Sequence, residues 1–268
     1  LKNFIRYIKY RQENGKYDIS KLDNIDIKDF TLKDFKKIEL RDLHAYLSYI
    51  DNELGDSSTT RARKISSIKS LYNYLVKITN DLDVNVSDQL ERPKIKKRNP
   101  IYLTLDESYR LLQAVKDNQD NEFLQKRDLS IIVSFLTTGM RLSELVSINV
   151  SSIKDDSLSV VGKGNKERVI YLTDTCKLFI EEYLKVRPKV KDEDALYLST
   201  RKKRISNRAI QHMIEKYLKF AGFDTSIYSP HKLRHTAATL MYKEGVDIRT
   251  LQKVLGHTSV ATTQIYTH

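Results

Sequence analysis

The sequence predicts a mainly α chain with a small β-sheet, divided into two domains. Three observations carry this. Apolar residues recur at helical spacing through the first ninety or so residues. A basic segment holding two prolines, residues 92–100, breaks that pattern. Beyond it, two short strand-like runs joined by a glycine-rich turn stand among further helices. A length of 268 residues also exceeds one small core, at a prior of roughly 150 residues per domain.

Residues 1–91 form the first expected domain. Leu1, Phe4, Ile5 and Ile8 share one helical face, as do Leu43, Tyr46, Leu47, Ile50 and Leu54. A third helix is expected from Ser58 to about Ile78, with Ala62, Ile65, Ile68, Leu71, Tyr72, Leu75 and Ile78 as its apolar stripe. Arg61, Arg63, Lys64 and Lys69 lie mostly off that stripe, and no acidic residue falls between Thr59 and Asn80. An apolar inner face with a basic outer face suits a DNA groove; a solvated charged face is the commoner alternative for helices in general. Five of the nine residues in 92–100 are cationic: Arg92, Lys94, Lys96, Lys97 and Arg98. They suggest a flexible strap that tracks phosphates.

Residues 101–268 form the second expected domain. Thr104 and Glu107 make a capping box that opens a helix. Leu129, Ile131, Ile132, Val133, Phe135 and Leu136 cover most faces of the next helix, which should be buried and end at Gly139 as a left-handed cap. Residues 157–161 and 168–172 should pair as a hairpin around the turn 162–166, and the run 195–198 is expected to complete the sheet. Ser206 caps a helix carrying Ile210, Met213, Ile214, Tyr217 and Leu218, and Gly245 and Gly256 close two more.

Composition narrows the function. The 47 basic and 35 acidic residues leave a net charge of +12, which favours polyanionic partners. No apolar run reaches the roughly 18 residues a membrane span needs, and the N-terminus is not signal-like. The first residue is Leu1, so a natural start is expected to precede it. The single cysteine, Cys176, excludes an internal disulfide and fits a reducing compartment, hence a cytoplasmic location. Among Leu178, Phe179 and Leu184 it is a small core residue rather than a reactive thiol.

The candidate chemistry lies at helix ends and turns of the second domain. Arg141 follows the buried helix, with Glu144 three residues on; Lys163 sits at the hairpin tip. His231 and Arg234 are one turn apart, His257 follows Gly256, and Tyr266 lies in the last short segment. This set offers donors without a carboxylate cluster for a metal, which suits a phosphodiester: arginine forks match its non-bridging oxygens. His231 and His235 have the i, i+4 spacing of a metal pair but lack the glutamate and third ligand of a zinc motif, so no metal is assigned. Gly162-Lys163-Gly164 also lacks the pattern of a nucleotide-binding loop.

Five blocks in order then resemble a known family: Thr138-Gly139-Met140-Arg141-Leu142-Ser143-Glu144-Leu145, Gly162-Lys163-Gly164-Asn165-Lys166-Glu167-Arg168, His231-Lys232-Leu233-Arg234-His235, Leu255-Gly256-His257-Thr258-Ser259, and Tyr266. They are similar to the tyrosine recombinases, particularly the Xer-type and integrase-like members, across roughly residues 100–268. The resemblance implies a helical core-binding domain and a mixed α/β catalytic domain closing on DNA as a C-shaped clamp. Arg141 and Arg234 would hold the scissile phosphate, and Lys163 would protonate the departing 5′ oxygen. His231 would assist proton transfer, His257 would hydrogen-bond the phosphate and Glu144 would orient the donors. Tyr266 would attack phosphorus and form a 3′-phosphotyrosyl link, with no cofactor.

The resemblance further implies double-stranded DNA with a specific recombination site as partner. It implies four protomers, identical or from a related recombinase, exchanging strands through a Holliday junction. Family chains continue past this tyrosine into a helix that packs on a neighbouring protomer. Here the sequence ends at His268, which implies a missing tail and a loosely held Tyr266. Arg61, Arg63, Lys64, Lys69, Lys94, Lys96, Lys97 and Arg98 are the expected DNA-backbone contacts. A relaxing topoisomerase, a non-catalytic DNA-binding regulator and a metal-dependent nuclease are the competing readings.

Overall fold

The computed structural model describes residues 1–14, 19–94, 101–161 and 167–266. The chain divides into two compact units, Leu1–Lys97 and Arg98–His268.

The first unit is helical. Helix α1 (Lys2–Asn14) packs on α3 (Leu40–Asn52) through aromatic rings, beyond the short α2 (Leu32–Lys36). Phe4 meets Tyr46 edge-on at 5.1 Å, and Tyr7 stacks on Tyr49 at 5.0 Å. Such offset and edge-on pairs add attraction beyond simple burial. Helix α4 (Ser58–Lys77) starts at Ser57, whose hydroxyl accepts from the Thr60 N–H. It buries Ala62, Ile65, Ile68, Tyr72 and Leu75, as the stripe predicts. Ile78 departs from the expectation: it lies just past the last helical residue and is 70% exposed.

In the second unit, α5 (Leu105–Asp117) opens with the predicted Thr104–Glu107 capping box. Helix α6 (Glu122–Thr138) is central, buries residues on most of its faces, and packs on α5, α8 (Asp174–Val186) and α10 (Pro230–Lys243). It ends at Gly139 with φ +60°, ψ 24°. A side chain at this position would be strained and would bring a Cβ to 2.9 Å from Leu255. Cys176 on α8 is fully buried beside Ser134, a core residue as expected. Helix α9 (Asn207–Phe220) begins at its Ser206 cap and buries all five predicted apolar positions.

Helix α7 (Leu142–Ser147) leads to the sheet, which is antiparallel in the order β1 (Ile153–Lys154), β2 (Ser157–Val161), β3 (Glu167–Tyr171). In its register, Val160 faces Arg168 and Leu158 faces Ile170. The expected third strand, residues 195–198, is not in the sheet. Among the described residues its strand-like pairing is limited to isolated bridges, Asn149 with Ala195 and Leu198 with Arg204. Ala195, Leu196, Tyr197 and Leu198 are buried, so the run is a core segment. Strand β1 takes the place instead through a local turn at Asp155 and Asp156, where the loop-closure cost is small.

Helix α10 ends at Glu244, one residue before Gly245, whereas α11 (Ile248–Leu255) ends in Gly256 itself, at φ +62°. Helix α12 (Val260–Thr263) and a 3-10 turn over Gln264–Tyr266 follow. Among the described residues, no helix is long and apolar enough to cross a membrane.

A candidate phosphodiester site around the end of helix α11

The site forms where three helix ends meet the middle of α10. Glu144, only 1% exposed, is the anion at its centre. Its carboxylate accepts from the Arg141 backbone N–H at 2.7 Å and Arg141 Nη1 at 2.8 Å. It also accepts from Arg168 Nε at 3.2 Å and Nη2 at 2.8 Å. Burial pushes its pKa up, but the bonds from Arg168 and Arg141 outweigh that and hold it below the usual carboxylate range. Arg141 is the N-cap residue of α7, so its main chain is fixed by the same carboxylate that holds its side chain. Its Nη2 also donates to Gly256 O at 3.0 Å, and the side chain remains 36% exposed.

Arg234 on α10 is 5% exposed. It donates through Nη1 to Gly139 O and through Nη2 to Leu255 O, both at 2.6 Å. Those carbonyls belong to the ends of α6 and α11, where helical peptide dipoles present partial negative charge without internal partners. They offset part of the cost of burying a guanidinium. Burial, and then the neighbouring Arg141 charge, lower the Arg234 pKa to about 10, so it stays a cation at neutral pH. A buried cation held mainly by carbonyls keeps a positive field for an incoming anion.

His257 follows the Gly256 turn. Its Nε2 lies 3.1 Å from Arg234 Nη2 and its Nδ1 lies 2.9 Å from Thr263 Oγ1. A guanidinium only donates, so Nε2 accepts and the proton sits on Nδ1, facing the threonine hydroxyl. Burial, and then the charges of Arg234, Arg141 and Arg168, push its pKa down to about 4. In this arrangement the neutral ring braces Arg234.

His231 is exposed in the first turn of α10. Partial desolvation and the cations Arg234 and Lys232 lower its pKa, so it is neutral at pH 7. Its ring meets His235 edge-on at 4.6 Å, and His235 lies 5.4 Å from the Tyr266 ring. Tyr266 is 3% exposed, set among Ala238, Leu251 and Leu255 with Met241, Tyr242 and Val246 around it. It is therefore packed in place, contrary to a loosely held segment. Burial raises its pKa and Arg234 opposes the rise, so the group is a neutral phenol that needs a proton acceptor to react.

The structure thus brings Arg141, Glu144, Arg234 and His257 into one hydrogen-bonded cluster and links His231 to Tyr266 through a third ring. Lys163 lies outside the described residues. Two members were not singled out from the sequence. Arg168 lies inside a recognised block but received no role. His235, set aside above, stands between two candidate residues, and its Nδ1 is buried without a hydrogen-bond partner among the described residues. Its place one helical turn past His231, inside a recognised block, was the available signal.

In the first unit the basic candidates fare differently. Arg61 is paired with Asp51, Lys64 with Asp56 at 2.6 Å, and Lys69 donates to the Asp88 carbonyl at 3.1 Å. Arg63 is exposed and lines a groove with Thr59, Ser66, Ser67, Arg92 and Pro93. Lys94 is exposed, whereas Lys96, Lys97 and Arg98 lie outside the described residues.

Residues 102–268 match the phage integrase family. A tyrosine recombinase XerC of Caldanaerobacter subterraneus subsp. tengcongensis is 51% identical over 268 residues, covering 99% of this chain and 74% of that protein. Among solved structures, the XerH site-specific recombinase in a post-cleavage complex with palindromic difH substrate has a TM-score of 0.73 at 23% identity. That match covers 87% of this chain and 69% of XerH. A lambda integrase tetramer bound to a Holliday junction has a TM-score of 0.62 at 20% identity, covering 96% of this chain and 76% of that one. The likeness to both structures is one of fold.

Proposed function

The chain belongs to the phage integrase family, and from that premise we propose that it is a tyrosine recombinase cutting and rejoining DNA at a specific site through a 3′-phosphotyrosyl intermediate. The observation that carries the reading is the meeting of Arg141 and Arg234 on the C-terminal turn of α11, with Tyr266 packed against the same helix.

The two guanidiniums bind the non-bridging oxygens and stabilise charge that grows as phosphorus becomes five-coordinate. The phenol oxygen of Tyr266 attacks phosphorus, and its proton passes to neutral His231. The bond from phosphorus to the 5′ oxygen breaks, and Lys163 protonates that oxygen. A 5′ hydroxyl of a second strand then attacks the tyrosyl ester and gives its proton to the neutral Lys163, while the bond from phosphorus to the Tyr266 oxygen breaks, that oxygen takes its proton back from His231, and the backbone is restored. The ester conserves the phosphodiester energy, so no nucleotide is consumed. Because Tyr266 is buried, its apolar pocket has to open as DNA enters. Glu144 orients Arg141, and His257 braces Arg234.

Duplex DNA carrying a recombination site is the proposed partner, bound by four protomers that pass through a Holliday junction, in the cytoplasm. A nicked suicide duplex containing the chain's selected binding site tests the reading. The wild-type chain should form a covalent adduct that maps to Tyr266, persists in EDTA and disappears in Tyr266→Phe with binding retained. An adduct that survives the substitution removes Tyr266 from the role, and loss of cleavage in EDTA would point to a metal nuclease. Relaxation of plasmids lacking the site would favour a topoisomerase.

A further inference from the structure

Helix α11 hands three successive carbonyls to three arginines. Its Gln252 and Lys253 carbonyls are met by the Gly256 and His257 backbone N–H groups as the chain turns. The next three take guanidiniums: Arg168 Nη1 on Val254, Arg234 Nη2 on Leu255 and Arg141 Nη2 on Gly256. Two of these arginines belong to the proposed phosphate site. The third carries no role in it.

We infer that Arg168 is a positioning residue for the strand-cutting step, acting through Glu144 to hold Arg141 in the geometry that receives phosphate. The inference rests on the recombinase reading. Arg168 sits on β3, held by pairing with Val160, and spans from the Glu144 carboxylate to the α11 terminus. Its guanidinium lies close over Gly256, where a Cβ would come within 3.1 Å of its Cδ and Nη1. Four donors share the buried Glu144, two from Arg168 and two from Arg141. Without Arg168 the carboxylate would turn its whole charge on Arg141, and a guanidinium drawn onto a buried carboxylate is less available to phosphate. Lysine cannot replace it, since one ammonium cannot span Glu144 and Val254 together.

Single-turnover cleavage of the suicide duplex at saturating protein tests this, with DNA affinity and melting temperature measured alongside. Arg168→Met and Glu144→Gln should each slow cleavage by about ten- to a hundredfold with affinity within threefold of wild type, as small misplacements of a catalytic group do. The double variant should be no slower than the worse single one, because both act through one contact. Multiplying effects, or an Arg168→Met rate within threefold of wild type, would overturn the inference. A bridging 5′-phosphorothiolate duplex, whose sulfur leaves without protonation, should not restore Arg168→Met. Recovery there would assign Arg168 to the leaving-group side with Lys163 and overturn the route through Glu144. If Arg168→Met does not fold, Arg168→Lys decides: cleavage at least about tenfold slow supports the inference, and a wild-type rate ends it. A wild-type chain that forms no adduct sinks the recombinase reading itself; a normal wild-type adduct with unimpaired Arg168 variants sinks only this step.

Discussion

Arg61 and Lys64 in the first unit and Arg234 in the second are held by different kinds of partner. On α4, Arg61 and Lys64 are neutralised by Asp51 and Asp56, which come from outside the helix. Around α11, Arg234 and Arg141 spend donors on backbone carbonyls, and Glu144, the carboxylate that Arg141 also meets, is shared with Arg168. A carbonyl satisfies a guanidinium's hydrogen bonds without cancelling its formal charge, whereas a carboxylate does both. The count of basic residues therefore overstates the field of α4, while at the α11 turn the charge stays available to a phosphate.

The sharpest way to break this contrast is Arg234→Ala. It removes a buried cation and strands the Gly139 and Leu255 carbonyls, so single-turnover cleavage should fall by about 10²–10³-fold. Arg234→Lys should recover little, because one ammonium cannot meet both carbonyls and phosphate. A lysine variant with near wild-type rate would mean that charge alone matters here.

A second test uses pH. The Glu144 pKa is lowered in the folded state, so its contribution to stability is present above the ordinary glutamate value, near ~4.3, and is lost as pH falls through the folded value. The gap in melting temperature between wild type and Glu144→Gln should be widest near neutral pH and narrow below about pH 4. A gap that stays constant down to pH 3 would show that the carboxylate's charge does not stabilise the cluster.

The smallest effect is expected on α4. Arg63→Ala should weaken DNA binding a few-fold and reduce the log–log salt slope by about 0.9, the share of one phosphate. Arg61→Ala, which removes a residue already paired with Asp51, should leave that slope unchanged. Equal losses for both would erase the distinction between paired and available charge.

Much of the fold was legible because it is local. The α4 stripe, the Thr104–Glu107 box, the Ser206 cap and the left-handed ends at Gly139 and Gly256 depend on residues within a few positions of one another. The candidate site was legible as a resemblance of ordered blocks, which names residues without saying what each one touches. Residues 195–198 look like a strand by composition, yet their place was settled by burial among distant neighbours.

What the sequence by itself determined, then, is the helical periodicity, the capping chemistry and the presence of guanidinium, imidazole and phenol groups in one half of the chain. Only the tertiary structure decided which charges survive and which groups act together. Asp51 reaches Arg61 across ten positions, Arg168 reaches Val254 across eighty-six, and His235 acquires its place between His231 and Tyr266 by ring packing. Hydrogen bonds and ion pairs act over a few ångströms of space, and helical spacing carries no record of which remote carbonyl or carboxylate will arrive within that range.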